Sequence, residues 1–192
     1  MWQILLGYLA GSVPFAFLLA RRAGIDVRVA GSGNVGAANV LRTTGPWRGV
    51  LVMGLDVGKG ALAVVLATLT NAGVTLTAFA AAAAVVGHIY PVWLRFHGGK
   101  GVAVAAGVFA VLTPFATALA ALLFLAIVWG TRYVSLGSIA ATVALPPAAW
   151  LTGEPPAVVL AAAATGVLIL FRHRGNIRRL CEGTERRMGY RA

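Results

Sequence analysis

The sequence is poor in acidic residues, in cysteine and in charge of either sign. Only five of its 192 residues are Asp or Glu, and charged residues together make up 11% of the chain. The single cysteine, Cys181, excludes an internal disulfide and a metal site built from several cysteines. The histidines His88, His97 and His173 lack the spacing of metal ligands. We therefore expect neither a metal ion nor a cofactor.

Apolar residues supply 59% of the chain, and the mean hydropathy is +0.86. A soluble domain of this length cannot bury so much apolar surface, so the composition predicts an integral membrane protein. The first apolar run lies within residues 1–22, with no basic residue before it and two arginines after it. That order favours a retained first span with an outside N-terminus over a cleaved signal peptide.

The apolar runs predict an all-α bundle of seven membrane spans that forms a single domain, residues 1–192. The fourth run is much shorter than the roughly 17 residues that a full span usually needs. The alternative is therefore five spans with two re-entrant segments. The predicted spans are 2–20, 50–70, 73–94, 102–112, 114–130, 135–151 and 156–171.

The net charge of +11 comes from basic residues that lie between and after the apolar runs. This placement indicates membrane topology, so we expect the lipid bilayer and not nucleic acid as a partner. With the N-terminus outside, loops 21–49 and 95–101 and the tail from Arg172 onward are cytoplasmic, and so is the C-terminus. Every Arg and Lys except Lys59 then lies on the cytoplasmic side. No oligomeric state follows from these features.

A glycine-rich segment follows the first span. Residues 31–36 have the pattern G-x-G-x-x-G, and Asp56 lies twenty positions after Gly36. This pattern marks a dinucleotide-binding fold only where it joins a strand to a helix within a βαβ unit. Here the next element is a membrane span that contains Asp56, so the sequence excludes that fold.

The same segment nevertheless carries groups that bind phosphate. Glycines let backbone N–H groups approach an anion closely, and Ser32, Asn34 and Asn39 can donate hydrogen bonds. Arg42 presents a planar guanidinium that suits two phosphate oxygens. The alternative is a flexible basic loop that contacts anionic lipid head groups.

Other polar clusters lie on the same predicted membrane face. One contains glycines and a lysine at a predicted helix start, which favours anions. Another places a His and an Asn three positions apart, on one helical face. Their convergence predicts a site that handles more than one phosphate group. The clusters comprise Gly98, Gly99, Lys100 and Gly101 in the segment HGGKG, Ser135 with Ser138, and His173 with Asn176.

Three ionisable residues fall within apolar spans. Asp56 and Lys59 are three positions apart, and His88 lies near the end of another span. Charges in lipid are costly, so such a pair indicates either a functional site or an ion pair that joins two helices. His88 is interpreted as a buried hydrogen-bonding residue or as a catalyst, and the sequence leaves both open.

Five motifs occur in order along nearly the whole chain: GSGNVGAANVLR, DVGKG, GHIYPVWLRFHGGKGVA, VSLGS and RHRGNIRRLCEGTE. In these motifs the chain resembles the bacterial acyl-phosphate:glycerol-3-phosphate acyltransferases. The resemblance implies a seven-helix protein of the cell membrane with its active site facing the cytoplasm. The implied partners are acyl-phosphate and glycerol-3-phosphate, and the implied products are lysophosphatidate and inorganic phosphate.

The resemblance also implies roles for individual residues. It implies catalytic roles for Ser32, Arg42, His173 and Asn176 and a structural role for Glu185. It places the binding of glycerol-3-phosphate at Gly98, Gly99, Lys100 and Gly101. From their chemistry alone, we add Asn34, Asn39, Ser135 and Ser138 as predicted phosphate-binding residues and Asp56, Lys59 and His88 as structural or supporting residues.

Phosphate is a good leaving group, so orientation and charge neutralisation can supply most of the catalysis. The proton of the attacking hydroxyl passes either to His173 or to a substrate phosphate oxygen. The sequence favours the phosphate, with His173 as an orienting donor. Two rival functions remain open at this stage. One is an organic-phosphate transporter whose path is lined by Asp56 and Lys59, and the other is a non-catalytic protein that recruits anionic lipids.

Overall fold

The computed structural model describes residues 1–189, and every regular element in that range is helical. This confirms the predicted all-α class. The G-x-G-x-x-G segment therefore has no strand beside it in the described range, as its exclusion from dinucleotide-binding folds requires. The α-helices are α1 Trp2–Ser12, α2 Phe15–Arg21, α3 Ala37–Thr44, α4 Pro46–Leu69, α5 Gly73–Ile89, α6 Val102–Leu112, α7 Pro114–Thr131, α8 Val134–Leu151, α9 Pro156–Arg172 and α10 Arg174–Cys181, and a short 3-10 turn covers Val92–Leu94.

Five segments of the described chain are long and apolar enough to cross a membrane. A sixth is formed if α9 and α10 are counted together across the 59° bend between them. The remaining apolar helix, α6, has 11 residues. The protein is thus a membrane protein with several apolar helices, and the count of seven full spans and the orientation of the termini stay predictions. The five segments are Trp2–Arg21, Pro46–Leu69, Gly73–Leu94, Pro114–Thr131 and Val134–Leu151.

The chain forms two compact units, Met1–Leu112 and residues 113 onward. In the first unit, α1 packs on α5 through small residues. A Cβ on Gly7 would overlap the carbonyl oxygen of Ala80, and one on Gly11 would overlap that of Ala84. Such close approach of helix backbones is typical of membrane proteins, where dispersion rather than the hydrophobic effect drives helix association.

The short helix α6 packs on α4 in the same way. A Cβ on Gly107 would overlap the carbonyl oxygen of Val57, and one on Gly60 would overlap that of Val104. Val104 and Phe109 are fully buried. A short apolar helix with this burial is a core helix of the unit, which explains why its length falls below that of a span.

The first span is broken between α1 and α2. Pro14 lacks an N–H group and disfavours helical geometry at Val13, so the helical hydrogen-bond pattern stops there. The carbonyl oxygen of Val13 accepts hydrogen bonds from the Phe15 N–H group at 3.1 Å and from Nζ of Lys59 at 2.7 Å. Broken helices occur inside membranes only where the freed backbone groups find such partners.

In the second unit, α8 packs between α7 and α9, and α10 contacts both α8 and α9. Large apolar side chains of α7 stay exposed, with Leu122 63% and Trp129 91% accessible. Apolar exposure on this scale fits a surface that faces lipid and not water.

Candidate active site

The segment between α2 and α3 is shaped by one fully buried side chain, that of Asn39 on α3. Its amide nitrogen donates to the carbonyl oxygens of Val27 and Ala30, both at 3.0 Å. Its amide oxygen accepts the backbone N–H group of Ser32 at 2.9 Å. Because both amide N–H groups are used, Asn39 holds the loop in place, and a direct contact with substrate phosphate stays a prediction.

Two glycines let the loop turn around Asn39. Gly31 and Gly33 have φ angles of +64° and +70°, in the left-handed region that other residues rarely adopt. A Cβ on Gly31 would also overlap the amide oxygen of Asn39. The glycines of this motif therefore serve a tight loop built on a buried amide.

Ser32 and Arg42, the predicted catalytic pair of this loop, are brought together at its exposed side. The guanidinium of Arg42 donates to Oγ of Ser32 at 3.5 Å, which is long for a hydrogen bond. Asn34, in the same loop, is half-buried. A hydroxyl and a guanidinium at this separation can share one phosphate group.

A buried network lies behind this loop. Nζ of Lys59 is 2.7 Å from Oδ1 of Asp56 and 3.0 Å from Nδ1 of His88. All three side chains are less than 10% exposed. Asp56 Oδ1 makes an ion pair with Lys59 that lacks hydrogen-bond alignment, so the charges attract while one acceptor direction stays unused. The structure thus gives Asp56 and Lys59 a partner, His88, that the sequence does not indicate.

The glycine-lysine segment lies against the end of α5. The backbone N–H groups of Gly98 and Gly99 donate to the carbonyl oxygens of Ile89 and His88, at 3.0 and 3.2 Å. Gly101 has a φ of +91°, and α6 begins directly after it, as predicted. Lys100 is half-buried beside the start of α6, where the N-terminal end of a helix favours an anion.

In the second unit, Glu185 binds three side chains. Its Oε1 accepts hydrogen bonds from Oγ of Ser135 at 2.9 Å and from Nδ2 of Asn176 at 2.6 Å. Its Oε2 accepts one from Nε of Arg179 at 2.7 Å. Glu185 therefore joins the start of α8 to α10 and orients the amide of Asn176.

The environment of Glu185 favours its charged form. Burial acts to raise the pKa of the carboxyl, but the hydrogen bonds from Asn176, Ser135 and Arg179 outweigh burial and hold the pKa below its ordinary value. Ser138 is not part of this cluster, because its hydroxyl donates to the carbonyl oxygen of Val134 at 2.8 Å. Contacts of Ser135 and Ser138 with phosphate stay predictions.

His173 lies at the bend between α9 and α10 and is 2% exposed. Its Nδ1 is 2.8 Å from the carbonyl oxygen of Ile169. A carbonyl only accepts, so Nδ1 carries a proton, and in the neutral ring Nε2 is the acceptor. This tautomer leaves Nε2 as the ring nitrogen that can accept a proton. His173 is the residue before α10 and Asn176 lies in the first turn of that helix, so a shared helical face for the two side chains stays a prediction.

The tail is fastened to the turn between α7 and α8. The backbone N–H group of Met188 donates to the carbonyl oxygen of Arg132 at 2.7 Å. Nε of Arg187 donates to the hydroxyl of Tyr133 at 3.1 Å, and its guanidinium lies over the Tyr133 ring. These contacts hold the segment that carries Glu185 close to α8.

Sequence reasoning missed several partners of the predicted residues. Nothing in the sequence shows that the amide nitrogen of Asn39 donates to backbone carbonyls or that Nζ of Lys59 donates to the carbonyl oxygen of Val13. Pro14 within an apolar run was an available signal, because a proline breaks the helix and leaves backbone carbonyl oxygens that require hydrogen-bond donors from elsewhere. Arg179 lies six residues before Glu185, and its opposite charge could have indicated that it is the ion-pair partner of Glu185.

Comparison with known proteins gives consistent matches over nearly the whole chain. The family model described as glycerol-3-phosphate acyltransferase matches residues 1–183. A glycerol-3-phosphate acyltransferase of Myxococcus xanthus (strain DK1622) is 50% identical over 186 residues, which cover 96% of this chain and 97% of that protein. One of Rubrobacter xylanophilus (strain DSM 9941 / JCM 11954 / NBRC 16129 / PRD-1) is 45% identical over 189 residues, with 98% and 95% covered.

Two solved structures have a closely similar fold. They are crystal structures of PlsY (YgiH), an integral membrane glycerol 3-phosphate acyltransferase, in its glycerol 3-phosphate and lysophosphatidic acid forms. The TM-scores are 0.94 and 0.91, and both chains are 41% identical to this one. In each comparison 98% of this chain and 94% of the other are covered.

Proposed function

This chain belongs to the glycerol-3-phosphate acyltransferase family, and we propose that its acyl donor is acyl-phosphate and that it works at the cytoplasmic face of the bacterial cell membrane. The acyl group is transferred to the first hydroxyl of glycerol-3-phosphate, and the products are lysophosphatidate and inorganic phosphate. The family match does not favour the alternative of an organic-phosphate transporter.

The observation that carries the proposal is the Ser32–Arg42 pair on a loop fixed by Asn39. Arg42 supplies a permanent charge and a planar fork, and Ser32 supplies a hydroxyl 3.5 Å from that guanidinium. Together they suit a phosphate dianion, which both glycerol-3-phosphate and the proposed donor carry. We assign Lys100 and the start of α6 to the phosphate of glycerol-3-phosphate, because a cation and a helix N-terminus both stabilise an anion.

The chemical step follows from the leaving group. The first hydroxyl oxygen of glycerol-3-phosphate attacks the acyl carbonyl carbon, and the bond from that carbon to the phosphate oxygen breaks. Phosphate leaves with the electron pair. Cations and hydrogen-bond donors that neutralise the two phosphates accelerate this step without a covalent enzyme intermediate.

The hydroxyl proton passes, in our proposal, to Nε2 of His173. The contact of Nδ1 with Ile169 supports this role, because it leaves the neutral ring with an acceptor at Nε2. The orienting donor favoured by the sequence requires a second proton on the ring. We assign Asn176 to positioning, since its amide nitrogen donates to Glu185 and its amide oxygen is thereby given a fixed direction.

We also propose the seven-span topology, with the N-terminus outside and the C-terminus in the cytoplasm. The distribution of Arg and Lys supports it, since a cytoplasmic excess of these residues sets orientation. In this topology α6, the fourth apolar run of the sequence, counts as a short span of 11 residues that packs against α4.

A donor comparison tests the proposed reaction. Purified protein in detergent is incubated with labelled glycerol-3-phosphate and either acyl-phosphate, acyl-coenzyme A or acylated carrier protein, all with one chain length. We expect lysophosphatidate and an equal amount of inorganic phosphate from acyl-phosphate only. Equal rates with a thioester donor would show that the donor assignment is wrong.

A further inference from the structure

Lys59 joins three separate parts of the first unit. Its ammonium contacts the carbonyl oxygen of Val13 at 2.7 Å, Oδ1 of Asp56 at 2.7 Å and Nδ1 of His88 at 3.0 Å. Two of these contacts are hydrogen bonds, and the contact with Asp56 is an ion pair without hydrogen-bond alignment. The break of the first span, α4 and α5 are therefore held by one buried cation.

These contacts also set the state of the His88 ring. Lys59 can only donate, so Nδ1 of His88 accepts, and the neutral ring carries its proton on Nε2. The Nε2 edge faces Gly99, where a Cβ would overlap Nε2 and would lie 2.7 Å from the carbonyl oxygen of Val35. Val35 belongs to the loop of Ser32, and Gly99 to the segment of Lys100. The ring thus lies where the two glycine-rich segments meet.

We propose that Asp56, Lys59 and His88 form a positioning network that sets the distance between the segments 31–36 and 97–101, and with it the affinity for glycerol-3-phosphate. The inference rests on the proposed function, in which Lys100 of segment 97–101 binds the phosphate of glycerol-3-phosphate, and it adds that segment 31–36 contacts the same substrate. In this arrangement His88 touches loop backbone and not substrate, so it is a positioning residue. The network replaces the two alternatives that the sequence leaves open for Asp56 and Lys59, a transport path or a plain ion pair.

A small cavity beside the network supports a directional role. It has room for about one water molecule and is lined by Asp56, Lys59, His88, Gly98 and Gly99, among others. The loop is therefore not held here by tight apolar packing alone. An ion pair that only joined two helices is replaceable by apolar side chains of similar volume, whereas the His88 ring also places its Nε2 edge against Gly99.

Two substitutions separate the two edges of the ring. His88→Asn keeps an amide oxygen near the Nδ1 position for Lys59 but is too short to reach Gly99. His88→Gln places an amide nitrogen near the Nε2 position but removes the acceptor for Lys59. We expect His88→Asn to weaken glycerol-3-phosphate binding about 3- to 10-fold, as loss of one ordering contact predicts. We expect His88→Gln to bind within about 2-fold of wild type and to unfold at a lower temperature.

The readouts are the Kd of glycerol-3-phosphate by calorimetry in detergent, the KM of each substrate, and the unfolding temperature. The KM of the acyl donor should not change in either variant. A general loss of structure would instead raise the KM of both substrates. Thr77→Val is the matched control, because Thr77 is a buried polar residue on the same helix whose hydroxyl bonds only to its own helix backbone, at Gly73. It should leave both substrates unaffected.

Two further variants keep the inference apart from the site assignment. Lys100→Ala must weaken glycerol-3-phosphate binding if the proposed site is right, and wild-type affinity in that variant would overturn the assignment itself. If Lys100→Ala binds weakly and folded His88→Asn binds normally, the network alone is wrong. Equal losses in His88→Asn and His88→Gln also contradict it. Combining His88→Asn with Gly99→Ala should cost less than the product of the single losses, because both act on one contact.

Discussion

Replacement of Glu185 by Gln is expected to destabilise the second unit and to reduce activity. The carboxylate receives hydrogen bonds from Ser135, Asn176 and Arg179, at 2.9, 2.6 and 2.7 Å. Gln keeps the shape of Glu and one acceptor oxygen, but an NH2 group, which can only donate, replaces the other oxygen. The hydrogen-bond donor that faced that oxygen is left without an acceptor, and the remaining bonds lose the negative charge of the carboxylate.

The magnitude follows from the kind of bond lost. A hydrogen bond to a charged group contributes about 1.5–3 kcal/mol. The side chain of Arg179 is 41% exposed, so solvent screening reduces the part due to its charge. Loss of charge from the bonds to Ser135 and Asn176 adds about 0.5–1 kcal/mol each. We expect a decrease of about 2–3 kcal/mol in the free energy of unfolding, since screening offsets much of the Arg179 contribution.

The destabilisation should depend on pH. The pKa of Glu185 in the folded protein lies below its ordinary value of 4.5. A lowered pKa means that the carboxylate stabilises the folded state fully above pH 4.5, and that this contribution is lost as the pH falls through the lower, folded-state pKa. The difference in unfolding temperature between wild type and Glu185→Gln should be constant near neutral pH and should shrink below pH 4.5.

Thermal unfolding in detergent, followed by intrinsic fluorescence, measures these differences alongside activity. Glu182→Gln is the control, because Glu182 is exposed and lies 3.8 Å from the exposed Arg178, a geometry worth less than about 1 kcal/mol. Activity of Glu185→Gln should fall further than the folded fraction does, since the amide of Asn176 loses its orientation. Unfolding temperatures equal to those of Glu182→Gln at neutral pH would refute this account of Glu185.

Three more outcomes are expected from the site and the topology. Arg42→Lys should lower the specificity constant about 10- to 150-fold, because one charge-assisted hydrogen bond to phosphate contributes about 1.5–3 kcal/mol; the exposed Arg48→Lys is the control, and equal kinetics in both variants would make Arg42 a topology residue only. His173→Gln and His173→Ala should show the same background rate if Nε2 is the base, whereas clearly higher activity of the Gln variant would restore the substrate phosphate as proton acceptor. The exposed Cys181 should react with an impermeant maleimide only after permeabilisation of intact cells, and labelling of sealed cells would refute the cytoplasmic C-terminus.

The membrane class and the helical fold were predictable because composition and apolar run length act over whole segments. A run such as 50–70 has to be helical in lipid, whatever its neighbours are, since its backbone finds no water there. The resemblance carried by the five motifs is confirmed by the family match over residues 1–183. The short run 102–112 was harder to interpret, because only its burial against α4 shows that it is a core helix.

The predicted site residues were identifiable by type and spacing, but their partners were not. In the sequence, Asn39 and Arg42 are equally good candidates for binding phosphate. In the structure, the side-chain amide of Asn39 already donates to the carbonyl oxygens of Val27 and Ala30 and accepts the N–H group of Ser32. The helices on either side of His173 bend by 59°, and the carbonyl oxygen of Ile169 accepts the proton on Nδ1 of that residue. Neither feature has a signal in the local sequence.

Chain composition and motif order were enough to predict that this is an integral membrane protein and to indicate its family. The helix packing established which groups are already paired: Lys59 with Val13 and His88 across 46 and 29 positions, and Ser135 with Glu185 across 50. Hydrophobic transfer depends on each residue's own side chain and is readable from a linear string. A hydrogen bond or ion pair depends on the separation of two atoms to a few tenths of an ångström, and that separation exists only once distant helices have packed.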